Sequence, residues 1–454
     1  MLRFRLLLLA GLLPAALVAP AQTTPALPPT AAPPLPAAPA DWLLRELEAS
    51  PVLRQHHAGL QLSYVATGQS LLSWHADKYF VPASTHKLLT LYAALRILGD
   101  SVPSLRYQVR GDTLLVRGTG DPTLLHGDVP SARAYQFMQR WPGPLRLAPT
   151  PYAESAYGPG WPWDDYPYYF QPERGGFPIY GHTVRFYARQ PGRAPVVQPR
   201  WFRPLVQAAP AGATSPDHVL REPEANRYTW FAAPRAWVDE SPFRTSPALL
   251  LTLLRDTLHR DVQPGRWRPQ PGSPGRTLYG LPVDSLLRRM VRVSDNLLAE
   301  QTLLLCAAQL GHDTLSAARV MAHVRRQGWL RPLPDSVAWV DGSGLSRLNL
   351  NTPRNQVALL RQLHQLVPEP RLLSLLAAGG GQGTLRRAYR SPDKKPWLWG
   401  KTGTLSNNHN LCGFVRTRSG QLLAFSFLNN NHLAGTEAVR REMERLLTLV
   451  RERL

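Results

Sequence analysis

The spacing of apolar residues changes period several times along this chain, and each change marks an element. Residues 41–78 predict a lead-in helix and then a hairpin: Leu60, Leu62 and Tyr64 alternate with their neighbours, Gly68 marks a turn, and Leu71-Leu72 resumes the strand. From Ser84 the period becomes helical, with Leu88, Leu91, Tyr92, Leu95 and Leu98 at matching positions. Between about 101 and 284 the texture differs, with short strand-like runs, many prolines and seven of the thirteen tryptophans. That stretch predicts a separate β-rich domain with one helix around Ser246–Leu258.

Strong helical signals return from Val283 to Gln309, broken near Ser294. Asn351 or Thr352 can cap a helix that has Pro353 in its first turn and continues through Leu366. Trp397–Leu405 and Asn410–Thr417 read as strands, and Gln421–Leu428 pairs with the second through the Ser419-Gly420 turn. An amphipathic helix with Val439, Met443, Leu446, Leu447 and Val450 on one face closes the pattern, and no internal repeat is visible. The order predicts an α/β (α+β) sandwich in two parts, residues 41–100 and 285–454, with residues 101–284 inserted between them. A length of 454 residues exceeds what one hydrophobic core serves and agrees with that division.

The first 40 residues stand apart. Arg3 and Arg5 precede a short apolar run, Leu6–Val18, and then Ala19-Pro20-Ala21, the layout of a secretory signal over residues 1–21. Residues 22–40 are almost wholly Pro, Ala and Thr and read as an extended tether. No cysteine lies near the cleavage site to carry a lipid, and no later run of about 18 apolar residues could span a bilayer. The expectation is an exported protein working outside the cytoplasmic membrane, in the periplasm or its equivalent, with no integral membrane span.

Charge and cysteine content narrow the classes further. The formal charge is +21, but basic residues are scattered, the longest runs being pairs such as Arg288-Arg289, Arg325-Arg326 and Lys394-Lys395. No nucleic-acid-binding module accompanies them, so nucleic acid is not an expected partner. The two cysteines, Cys306 and Cys412, allow one bridge or two buried thiols. Thirteen histidines are present without H-E-x-x-H or related spacing, so neither a metal nor another cofactor is expected.

Three short motifs carry the chemistry, in order: Ser84-Thr85-His86-Lys87, Ser294-Asp295-Asn296 and Lys401-Thr402-Gly403. Positions i and i+3 share a helix face, so Lys87 can approach the Ser84 hydroxyl and act as its base. Partial burial and the nearby charge of Lys401 would lower the pKa of Lys87 to suit that task, while Lys401 attracts a substrate carboxylate. In an extended Ser294-Asp295-Asn296, alternate residues face one cleft: Ser294 relays a proton to the leaving amine, Asn296 binds the substrate amide, and Asp295 points away and holds the loop. In Lys401-Thr402-Gly403-Thr404, glycine would let a substrate backbone lie against an edge strand. The amides of Ser84 and Thr404 then form an oxyanion hole. The chain has only five lysines, so chance predicts K-T-G on the order of 0.02 times.

Taken together, these motifs resemble those of the class C low-molecular-mass penicillin-binding proteins, the D-alanyl-D-alanine carboxypeptidase/endopeptidase family. Ala76-Asp77-Lys78, Phe80 and Pro82-Ala83 resemble the family's approach to its nucleophile, and Gly120-Asp121-Pro122-Thr123-Leu124 a signature early in its inserted domain. Gly160-Trp161-Pro162-Trp163-Asp164-Asp165, Asp341-Gly342-Ser343-Gly344-Leu345-Ser346 and Gly383-Thr384-Leu385 are similar to further family stretches. Gln171–Tyr180 matches no family pattern. The resemblance implies a penicillin-binding/transpeptidase-like α/β sandwich with its insertion between the first and second motifs, which here lie 206 residues apart (294 − 87 − 1). It implies a penicillin-sensitive serine peptidase acting on peptidoglycan stem peptides and cross-bridges, with β-lactams as covalent inhibitors. It also implies that Asp165, with Asp164 beside it, binds the free amino group of the substrate side chain. A β-lactamase would need a deacylating group, and no class A-like glutamate loop is recognisable between Asn296 and Lys401. Intact motifs argue against a catalytically idle wall-binding scaffold.

Overall fold

Two long hydrophobic strands, Asn408–Arg416 and Leu422–Asn430, form the middle of the molecule because they are buried on both faces. In the computed structural model, which describes residues 40–129, 131–268 and 275–454, they belong to a six-stranded sheet. Its order is Ala377–Ala378, Leu398–Leu405, Asn408–Arg416, Leu422–Asn430, His57–Tyr64, Ser70–Trp74, and every pair is antiparallel. The period of two divides these strands between two cores. Cys412, Phe414 and Ala424 point into one, and Leu411, Val415, Leu423, Phe425 and Phe427 into the other.

The first core is closed by the helices Lys87–Ile97, Val283–Arg292, Asn296–Gln309 and Pro353–Leu366. The second is closed by Asp41–Ala49 and the amphipathic Thr436–Arg453, whose Val439, Met443, Leu446, Leu447 and Val450 are all buried. This is the mixed sandwich expected from the sequence, with the Val283–Gln309 run broken at Ser294 and Thr352, rather than Asn351, capping the next helix through Asn355 N–H.

A third core is drawn from residues between Leu105 and Val262. It holds a five-stranded sheet, ordered Gln263–Pro264, Leu145–Leu147, Thr113–Gly118, Ser101–Arg110, Arg276–Pro282, and two three-stranded sheets. The helix Pro247–Leu258 lies here, capped by Ser246, as does an unforeseen helix, Ala132–Gln139. Gly120 begins a turn closed by Thr123 N–H on Asp121 Oδ1 at 2.8 Å. At φ 85° it lies so close to the helix Asn296–Gln309 that a Cβ would fall 2.7 Å from Leu304 Cβ.

The expected leader and tether, residues 1–39, lie outside the described residues. Among those described, no helix is long and apolar enough to cross a membrane. Both cysteines are free and buried, so of the two sequence alternatives the thiols are what is observed.

Candidate active site

Ser84 sits on a single 3-10 turn, Ala83–His86, that runs directly into the helix starting at Lys87. In a 3-10 turn residues i and i+3 nearly eclipse, which brings Lys87 Nζ to 3.0 Å from Ser84 Oγ. The turn is stapled on several sides. Val81 N–H donates to Asn430 Oδ1 at 2.7 Å, Asn410 Nδ2 donates to Val81 O at 2.9 Å, and Thr85 Oγ1 donates to Pro82 O at 2.8 Å while accepting from Gln356 Nε2 at 2.8 Å. Ala83 is held in the left-handed region at φ 50°, a strained conformation that such staples maintain. Two glycines complete the seat. A Cβ on Gly344 would fall 1.9 Å from Ala83 O, and one on Gly403 would fall 2.6 Å from Pro82 O and 3.0 Å from Ser84 N.

Lys87 is fully buried and has two further acceptors, Asn296 Oδ1 at 2.5 Å and Ser343 O at 2.7 Å. Burial lowers its pKa to about 8, against the opposing pull of Asp341, Glu300 and Asp295. The sequence had assigned that lowering partly to Lys401. The repulsion instead falls on Lys401, which burial first and Lys87 second hold well below the ordinary lysine value.

The second motif is folded differently from the extended strip expected. Ser294 adopts a left-handed φ of 67°, Asp295 is the extended N-cap of Asn296–Gln309, and Asn296 is already helical. Asp295 accepts from Leu298 N–H at 3.0 Å, so it does hold the loop, as a helix cap. The left-handed kink, not strand alternation, turns Ser294 and Asn296 to the same side. Ser294 Oγ accepts from Lys401 Nζ at 2.9 Å, and Asn296 joins Lys87 to the carbonyl of Phe170, to which its Nδ2 donates at 2.8 Å.

The third motif lies on Leu398–Leu405, whose outer neighbour pairs only with Trp399 and Gly400. From Lys401 to Leu405 that edge carries no partner strand among the described residues and can accept an extended peptide. Thr402 Oγ1 donates to Thr384 Oγ1 at 2.8 Å, and Thr404 Oγ1 meets His409 Nδ1 at 2.8 Å. Gly403 has a second role that the sequence does not show: a Cβ there would meet the backbone of the nucleophile turn itself.

Sequence reasoning missed the buried polar layer beneath these motifs. Asp341 accepts from the amides of Gly344 and Ser346 at 2.7 Å each, from Asn349 Nδ2 at 2.8 Å and from Trp161 Nε1 at 2.9 Å. Glu300 accepts from Ser343 N–H at 2.7 Å and pairs with Arg174 at 3.3 Å. Asp341–Ser346 stands out in the sequence only as a stretch similar to the family, without a role. Glu300 was hidden in an apolar helix and Arg174 in a segment with no familiar pattern.

Asp164 and Asp165 lie on the short turn Trp163–Asp165, in the same loop whose Phe170 carbonyl touches Asn296. Partial burial, then the adjacent Asp164, raises the Asp165 carboxyl pKa, and Arg347 opposes both. Among the described residues no group of three or more His, Cys, Asp or Glu side chains is placed to hold a metal ion.

Comparison with known proteins agrees with this geometry. A family model of the D-Ala-D-Ala carboxypeptidase 3 (S13) family matches residues 43–196 and 269–452. The carboxypeptidase DacB of Mycolicibacterium smegmatis is 33% identical over 157 residues, about a third of either chain (33% of this one, 34% of the other). The D-alanyl-D-alanine carboxypeptidase DacB of Haemophilus influenzae is 24% identical over 418 residues, 84% of this chain and 86% of its own. The crystal structure of penicillin binding protein 4 (dacB) from Haemophilus influenzae superposes with a TM-score of 0.70 at 20% identity, covering 91% of this chain and 99% of that one, which shows a common fold. The chain belongs to the D-Ala-D-Ala carboxypeptidase 3 (S13) family, among the class C low-molecular-mass penicillin-binding proteins, and is a serine-type peptidase.

Proposed function

We propose that the chain is a D-alanyl-D-alanine carboxypeptidase and endopeptidase that cuts peptidoglycan stem peptides and cross-bridges through an acyl-enzyme on Ser84. The observation that carries this is the contact of Ser84 Oγ with Lys87 Nζ at 3.0 Å, with Lys87 buried and its pKa lowered to about 8. Such an amine is free of its proton often enough near neutral pH to take one from a serine hydroxyl.

A substrate strand binds along the open edge at Lys401–Thr404, with its carbonyl between the amides of Ser84 and Thr404 and its terminal carboxylate toward Lys401. That carboxylate favours the charged form of Lys401. Asn296 binds the preceding amide, and Asp165, with Asp164, meets a side-chain ammonium. Ser84 Oγ bonds to the carbonyl carbon as Lys87 takes the hydroxyl proton. The C–N bond then breaks, and Ser294 relays a proton to the departing amine. Water then bonds to the acyl carbon as the C–Oγ bond breaks; its hydroxyl leaves with the acyl group and its other proton restores the Ser84 hydroxyl.

A β-lactam follows the first half of this course, but its leaving amine stays tethered and deacylation stalls. The nearest buried carboxylates, Glu300 and Asp341, are occupied by Ser343, Arg174 and the Gly344–Ser346 amides, which supports slow deacylation. The leader-like start supports a mature protein outside the cytoplasmic membrane, and residues 101–284, read as an inserted domain, contribute the loop that carries Asp164 and Asp165.

The test is intact-protein mass after benzylpenicillin, for the wild type and Ser84→Ala, alongside D-alanine release from a stem peptide. A stable adduct in the wild type alone supports the reading. No adduct and no D-alanine release would refute it, and rapid drug turnover without an adduct would point to a β-lactamase.

A further inference from the structure

We propose that Glu300, held by Arg174, is a positioning residue for Lys87 that acts through the backbone of Ser343, whose N–H it accepts and whose carbonyl Lys87 meets. The proposal rests on reading Lys87 as the base of acylation. A neutral lysine amine has two N–H bonds and one lone pair. With its hydrogens directed at Asn296 Oδ1 and Ser343 O, at 2.5 and 2.7 Å, the lone pair is left facing Ser84 Oγ at 3.0 Å. The direction of the base is therefore set by where those two acceptors lie.

Asn296 is fixed by its helix and by Phe170 O. Ser343 lies in an irregular loop, so its position depends on side-chain contacts to the backbone around it. The peptides on its two sides are pinned separately: Thr90 Oγ1 donates to Gly342 O at 2.6 Å and Ser343 N–H donates to Glu300 Oε1 at 2.7 Å on the peptide before it, while Gly344 N–H donates to Asp341 Oδ1 at 2.7 Å on the peptide that carries Ser343 O. The other Glu300 oxygen meets Arg174 Nη1 at 3.3 Å, and Arg174 also pairs with Glu154 at 3.3 Å and donates to the carbonyls of Ser155 and Tyr157 at 3.1 Å each. Glu300 and Arg174 are 1% and 5% exposed, so neither can exchange these partners for water. A carboxylate present only to neutralise Arg174 would not also hold the backbone N–H of the residue whose carbonyl orients the base.

Charge acts along the same path. The groups that face Lys87 are Glu300 from its helix, Asp341 from the loop and Asp295 from the cap, which favour the ammonium, with His86 beside it and Lys401 across the cleft. Removing the Glu300 charge lowers the Lys87 pKa further, so the amine is free at lower pH.

The experiment is the second-order rate of benzylpenicillin acylation against pH, counted per acylable site by intact mass, with a thermal melt of each variant. The wild-type rate rises with pH to a plateau, with a midpoint near the Lys87 value of about 8. Glu300→Gln keeps an acceptor for Ser343 N–H but loses the charge, and its midpoint moves to lower pH by on the order of 1 unit. Arg174→Lys keeps the charge but not the fork, so its midpoint stays while its plateau falls about tenfold or more. A purely structural role would lower melting temperatures and acylable fraction but leave midpoint and plateau per site at wild-type values, and that result overturns the proposal. Should Glu300→Gln not fold, the Arg174→Lys plateau decides alone, an unchanged value being the refutation. A wild type that forms no adduct would instead overturn the Ser84–Lys87 reading on which the proposal rests.

Discussion

Replacing Gly403 by alanine adds one methyl group where a strand meets the nucleophile turn. Gly403 has no left-handed φ, so the cost is steric and not conformational. The new Cβ would lie 2.6 Å from Pro82 O, 2.9 Å from Thr85 N and 3.0 Å from Ser84 N, all backbone atoms, where ordinary contact begins at 3.4 Å. Strand and turn must therefore part by about 0.8 Å, the shortfall at Pro82 O. Neither side yields easily. The turn is tied to Asn430, Asn410 and Gln356, and the strand is paired along its length with Asn408–Arg416. Overpacking of this kind costs about 1–3 kcal/mol. A catalytic group misplaced by ~1 Å can lose about 10²-fold in rate. The expected outcome for Gly403→Ala is a lower melting temperature with benzylpenicillin acylation slowed by about ten- to a hundredfold at saturating drug. If the melting temperature holds and only the apparent affinity for the drug falls, the glycine serves substrate approach after all. A rate within a few-fold of wild type with unchanged stability would refute the steric argument outright.

Other expectations follow from single groups. His86 is fully buried with both ring nitrogens unpartnered, and burial lowers its pKa to about 4 from 6.5. The unfolded chain therefore takes up this proton first as pH falls, and stability on the order of 3 kcal/mol is lost between the two values. His86→Phe should narrow the gap between melting temperatures measured at pH values on either side of 6.5, and an unchanged gap would show that the imidazole is not the acid-sensitive group. Asp165→Asn should reduce turnover of peptides with a free side-chain amine about tenfold while sparing benzylpenicillin acylation, and equal loss on both would remove it from side-chain recognition. Burial raises the thiol pKa of both cysteines, that of Cys412 to about 12, so neither should react with a thiol reagent until the protein is denatured. Fast labelling of the native protein would contradict the core assigned to them.

Local pattern was enough for much of this protein. The helical spacing from Leu88, the broken run around Ser294, the Pro353 helix and the last three strands are each decided by neighbours a few residues apart, and the structure has them close to where the periodicity put them. The identity of the motif residues carried the chemistry, because a serine, two lysines and an amide act through their own functional groups wherever the chain brings them together. What the spacing could not decide is anything set by burial or by contacts far apart in sequence. Ser294 and Asn296 face one side because of a left-handed residue and a helix cap, which no alternation rule anticipates. Gly403 is needed because Pro82 and Ser84 arrive from more than 300 positions away. Arg174 and Glu300, 126 positions apart, become partners only when both leave water, since a buried charge must find its opposite within the fold. Lysine pKa values belong to the same class: Lys87 and Lys401 are identical side chains in sequence, and only desolvation and their neighbours place one near 8 and hold the other well below its ordinary value.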